Sequence, residues 1–142
     1  MSPSTARHLN HVALALLVAA LVCWIAFHLL PMERDGGRGW ELWRQILRAP
    51  KIGSMFGWKK LLPISGFLTL ALLVPASPFV TTLLRSSTPC RWLAMLASGA
   101  AFLGFGGAVA ASLDSSYSFY CLVASMFLNF FGLVCIRHVA PE

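Results

Sequence analysis

Three histidines could ligate a metal or a haem. His8 and His11 stand i, i+3 at the entry to the first apolar run, and His138 closes the last one. In a chain that crosses a membrane four times, all three fall on one side, so a histidine-based redox or lipid-modifying site is one chemistry open to this sequence. Nothing in their spacing forces the ligands to converge, and interfacial rings with wet nitrogens are the better account of them. His28, one turn after Trp24, reads as interfacial too. No metal, cofactor or catalytic residue is therefore assigned.

Other chemistries have less to stand on. Asp114 is the single acid close to a later apolar run and has no acidic partner near it for paired acid–base work. Gly104-Phe105-Gly106-Gly107 lies inside an apolar run, with no preceding strand and no lysine, so it is not a phosphate loop. Cys23, Cys90, Cys121 and Cys135 form no CxxC pair and no zinc spacing, and three of them sit within apolar runs as expected of buried thiols.

Asn129 is the most informative polar residue. Cys121, Ser125, Asn129 and Gly132 recur at i, i+4, i+8 and i+11, which places a small, hydrogen-bonding stripe on one helix face. Such a stripe suits contact with another helix, and the alternative is contact with a ligand or ion. Ala100, Gly104, Ala108 and Ser112 make a small-xxx-small stripe, and Gly107 with Ala111 adds a neighbouring one, both suited to close helix approach within the chain or between subunits.

These residues need elements to hold them, and composition selects the elements. Of 142 residues 58 % are hydrophobic and 11 % charged, against roughly 45–50 % and about 25 % in soluble domains. That excludes disorder and disfavours a soluble fold. The net charge of +6 reads as membrane-flanking charge and not as a nucleic-acid footprint.

Four long apolar runs, at 12–30, 61–84, 92–112 and 117–136, are each long enough to cross a bilayer as a helix. The expectation is an all-α integral membrane protein, a single domain over 1–142, with four transmembrane helices in an antiparallel bundle. Pro31 ends the first run. Pro75 and Pro78 should kink or open the second, with Ser77, Thr81 and Thr82 available for the freed carbonyls. Thr88-Pro89 reads as N-cap and first residue of the third helix, and Asp114, Ser115 and Ser116 as capping residues before the fourth. A cleaved leader is disfavoured by the length of the first run and the lack of a small-x-small site after it.

Residues 39–49 of the first loop predict a short amphipathic interfacial helix. Trp40, Trp43, Ile46 and Leu47 lie on one face, and Glu41, Arg44, Gln45 and Arg48 on the other. It either docks a partner or anionic headgroups, or simply reconnects two spans. Orientation is nearly balanced: one side carries seven Lys/Arg and the other four, which leans toward a cytoplasmic first loop.

No Asp, Glu, Lys or Arg falls at mid-membrane depth, whereas ion-coupled transporters and proton relays generally place ionisable groups there. The leading expectation is a non-catalytic membrane protein that works by interaction, as an accessory subunit or an inhibitor- or immunity-type partner of another membrane protein. Its partners would be the bilayer with its anionic headgroups and another membrane protein or a second copy, without nucleic acid. The alternatives are a small oligomeric transporter or channel for a neutral or apolar solute, and the histidine-based enzyme. The expected compartment is a bacterial-type inner membrane. The layout of four spans with a longer first loop names no family.

Overall fold

A computed structural model describes residues 3–31, 37–41, 68–69, 71–111 and 117–137, with backbone alone for 3 and 104–111. The described residues are mostly helical and contain no strand beyond a single bridge between Pro31 and Arg38. Four helices are defined: α1 (Pro3–Leu29), α2 (Thr81–Ser86), α3 (Thr88–Ala111) and α4 (Tyr117–Cys135). Residues 71–76 are also helical.

The first helix is longer than its apolar run predicts. It begins at Pro3, not at residue 12, because Pro is preorganised for a first turn and the following residues form helix readily. Arg7, His8, Asn10 and His11 are thus helical. Its buried positions are Ala6, Asn10, Ala13, Leu17, Ala20, Trp24 and Phe27, with steps alternating between four and three. That 3.5-residue repeat keeps one seam facing one neighbour. The neighbour is α4, whose buried Ser118, Leu122, Ser125, Asn129 and Gly132 step in the same way.

The two run in opposite directions. Asn10 meets Arg137, Leu17 meets Gly132 and Phe27 meets Ser118. Arg91 of α3 reaches Ile136 and Asn129 reaches Ser98 of α3, so α3 is also antiparallel to α4.

The second apolar run is not one continuous helix. Residues 61–67 and 70 lie outside the described residues; 71–76 are helical, 77–80 turn, and α2 restarts the helix. Pro75 and Pro78 lack the N–H groups that would hold the ladder through this stretch. Ser77 Oγ donates to the Leu73 carbonyl at 2.6 Å and Thr81 Oγ1 to the Pro78 carbonyl at 3.3 Å. These are not the carbonyls four residues before the prolines, so the hydroxyls brace the turn instead of replacing the missing bonds.

The third helix starts at Thr88, one residue before the Pro89 read as its first, and its cap is Ser87 and not Thr88. Ser87 Oγ accepts the Cys90 N–H at 3.5 Å and its carbonyl accepts the Arg91 N–H at 3.1 Å. A hydroxyl two residues ahead of Pro89 can reach the third N–H of the helix, which is the capping geometry.

Two core clusters form. One joins Ala20, Trp24, Phe27, Val74, Ala101, Leu122 and Met126; the other joins Ala13, Leu17, Leu84, Leu133 and Ile136, with Cys90, Ala94 and Met95 half-buried against it. Each draws on α1, residues 71–86, α3 and α4. The outer faces are apolar as well: Val22 on α1, Leu93 and Leu103 on α3 and Phe127 on α4 are at least half exposed.

Candidate functional site

Polar side chains gather at three levels of the α1–α4 pair. At the first, Pro31 has no N–H to offer the Phe27 carbonyl four residues back. Ser118 Oγ donates to that carbonyl at 3.0 Å, from the first turn of α4 and fully buried. Gly39 crosses the same carbonyl so closely that a Cβ would overlap it. His28 sits beside this corner. Its Nδ1 contacts the Trp24 carbonyl at 2.7 Å, and its ring packs edge-on against Trp24 at 4.8 Å.

At mid-length, Asn129 Nδ2 donates to Ser98 Oγ at 3.2 Å, both side chains being fully buried. The bond joins α4 to α3. Asn129 Oδ1 has no hydrogen-bond partner among the described residues. Bonds of this kind are worth about 0.6 kcal/mol, so Asn129 fixes which faces meet more than it stabilises the assembly. Ser125, placed on the same face, turns to its own helix: its Oγ donates to the Leu122 carbonyl at 2.7 Å. Intrahelical bonding is open to any serine three or four residues after a carbonyl, and it withdraws Ser125 from the interhelical role expected of it. Gly132 performs the close approach instead, with Leu17 of α1 against it.

The third level lies beyond the end of α4. Asn10 closes two hydrogen bonds on Arg137: Nδ2 donates to its carbonyl at 3.2 Å, and Oδ1 accepts its N–H at 2.8 Å. Three guanidinium groups surround this clasp. Arg85 donates to the Asn10 carbonyl at 3.4 Å. Arg91 and Arg137 each donate to the Ile136 carbonyl at 3.2 Å, and Arg137 also to the Val134 carbonyl at 2.6 Å. The Val134 and Ile136 carbonyls carry the negative end of the α4 dipole, which attracts cations.

Of the other residues singled out in the sequence, His8 and His11 are exposed on α1, and Trp40 is exposed in the helical residues 39–41. Among the described residues no three His, Cys, Asp or Glu side chains gather to hold a metal. All four cysteines are free and half-buried. Trp43, Arg44, Arg48, His138, Asp114, Ser115 and Ser116, and the side chains of Gly104, Gly107 and Ala108, lie outside the described residues. Asn10, Ser98 and Ser118 were not singled out in the sequence. A signal for α1 was present: Ala6, Ala13 and Ala20 recur every seven residues, marking the seam on which Asn10 lies.

The described residues are thus mostly helical, and among them two helices, Ser4–Leu29 and Tyr117–Cys135, are long and apolar enough to cross a membrane by length and composition. No protein-family profile, curated protein or solved structure matches it.

Proposed function

We propose that this chain is an integral membrane protein of four antiparallel spans that acts without catalysis, as an accessory subunit or an inhibitor-type partner of another membrane protein. The observation that carries this reading is where the buried polar side chains are used. Ser77 and Ser125 bond to their own helices, while Ser118 and Asn129 bond helix to helix. The outward surface is apolar and aromatic, with Trp92, Leu93, Leu96 and Leu103 on α3 and Tyr117, Tyr120, Phe127 and Phe131 on α4. Aromatic and aliphatic faces of this kind serve contact with lipid and with other spans.

Two features support four spans. Asn10 and Phe27, where polar bonds close the two ends of the α1–α4 seam, are about 26 Å apart along the helix axis, close to the roughly 30 Å of a hydrocarbon core. Arg85 touches Asn10, so the chain has come back to the starting end of α1 before α3 begins. Reporter fusions ending at residues 56, 87 and 114 test this directly. Residue 87 should report the side of the N-terminus, and residues 56 and 114 the opposite side. A two-span chain crossing only at α1 and α4 would put all three on one side.

The interaction role is tested by purifying the tagged full chain from its native membrane in mild detergent. A membrane protein should co-elute in fixed ratio and be lost when Trp92, Leu93 and Leu96 are replaced by alanine. A monodisperse chain with no partner, or solute flux through liposomes holding the chain alone, overturns it.

A further inference from the structure

The arginines at the end of α4 are more concentrated than capping needs. One or two cations suffice for the last carbonyls of a helix. Here α3 and the residue pair after α4 each send one to a single oxygen, that of Ile136, and α2 sends a third to the Asn10 carbonyl of the adjoining α1. Like charges brought this close repel, and an anion beside them would relieve the repulsion. Arg91 and Arg137 each have five N–H donors in a planar fork, and their contacts with Val134 and Ile136 use a single nitrogen of each. The fork geometry matches the oxygens of a phosphate.

The position selects the source of that phosphate. Arg137 lies two residues beyond the apolar helix α4, and Trp92, next to Arg91, is half exposed at the same level. Arginine beside exposed tryptophan at the end of an apolar stretch is the headgroup level of a bilayer. We infer that Arg85, Arg91 and Arg137 form a binding site for the phosphate of an anionic lipid headgroup. The clasp ties Asn10, whose carbonyl accepts Arg85, to Arg137, so the site exists only when α1 and the end of α4 are paired. The site rests on the membrane reading only in placing this end at a lipid surface, and it holds for any partner or for none.

The test uses the purified full chain in neutral detergent. It is incubated with equimolar phosphatidylglycerol and phosphatidylcholine, and the lipid retained after gel filtration is quantified by mass spectrometry. Phosphatidylglycerol should be preferred, and Arg85→Gln and Arg91→Gln should each lower the preference about fivefold. Arg7→Gln removes the same charge from the same end, outside the cluster, and should change it less than about twofold. Equal retention of the two lipids by the wild-type chain overturns the site, whatever the variants do. An equal loss in Arg7→Gln also overturns it, by showing diffuse attraction. Inorganic phosphate that raises the melting temperature when phosphatidylglycerol does not overturns the lipid as its source. Reporter fusions that fail to give four spans, alongside a retained lipid preference, would remove the proposed topology and leave this site standing.

Discussion

Replacing Gly132 by alanine should destabilise the protein by about 2 kcal/mol, within the usual 1–3 kcal/mol for overpacking a filled site. A Cβ at position 132 would lie 2.7 Å from Leu17 Cδ2, 2.8 Å from Leu17 Cγ and 3.3 Å from the Ala13 carbonyl oxygen. Two effects oppose one another. Alanine is favoured over glycine within a helix by about 1 kcal/mol, which pulls toward stabilisation. The clash prevails because the Leu17 side chain is completely buried among core neighbours, and because the Ala13 carbonyl belongs to the backbone of α1. The double substitution separates packing from propensity. Leu17→Ala alone should cost about 2–5 kcal/mol through the cavity it leaves. In that background the methyl group added at position 132 enters the vacated space, so Gly132→Ala should become neutral or stabilising, a coupling of about 1–3 kcal/mol. Loss of helicity during titration with a denaturing detergent measures all four proteins. Equal effects of Gly132→Ala in both backgrounds would mean that α1 does not rest on Gly132.

Gly39→Ala should release the segment 37–41 from the end of α1. The added Cβ would overlap the Phe27 carbonyl oxygen and lie 2.9 Å from its carbon and 3.1 Å from His28 Cα. Every neighbour is backbone, so no rotamer change relieves the contact, and one of the two segments must move. The same oxygen accepts the Ser118 hydroxyl, which ties the displacement to the first turn of α4. About 2 kcal/mol of local stability should be lost, equivalent to about thirtyfold more opening. Arg38 is exposed next to Gly39 and offers a tryptic site. The initial rate of cleavage after Arg38 should rise by about that factor, with the unfolding midpoint of the whole chain moving much less. An unchanged rate would show that Gly39 has room for a side chain.

Much of the helical framework was legible along the chain. The apolar run at 117–136 is α4 nearly to the residue, and the break near Pro75 and Pro78 follows from two missing N–H groups. α1 and α3 start earlier than their apolar runs because apolar content marks the bilayer-compatible part of a helix, not its ends. Polar residues such as Asn10 and Arg91 continue a helix freely once it is begun. Asn129, Ser125 and Gly132 share one buried face, as their spacing predicts, yet the three do different things: one bonds α3, one bonds its own turn and one admits α1.

The sequence by itself determined a helical chain with four apolar runs and charge at their ends; among the described residues two helices, Ser4–Leu29 and Tyr117–Cys135, are long and apolar enough to cross a membrane. Only the tertiary structure decided which faces meet. The reason is that hydrophobic contrast carries no information when both faces of a helix are apolar: Val18, Val22 and Ile25 point outward on α1 while Leu17, Ala20 and Trp24 point inward. Pairing in such helices is set by size and by a few polar bonds, and those act between residues far apart in the chain. Asn10 finds Arg137 across 127 positions, and Ser118 supplies the hydrogen bond that Pro31 denies to Phe27. Asn10, Ser118 and Gly39 carry no local pattern that announces their roles, because each is defined by the backbone group it meets after the helices have packed.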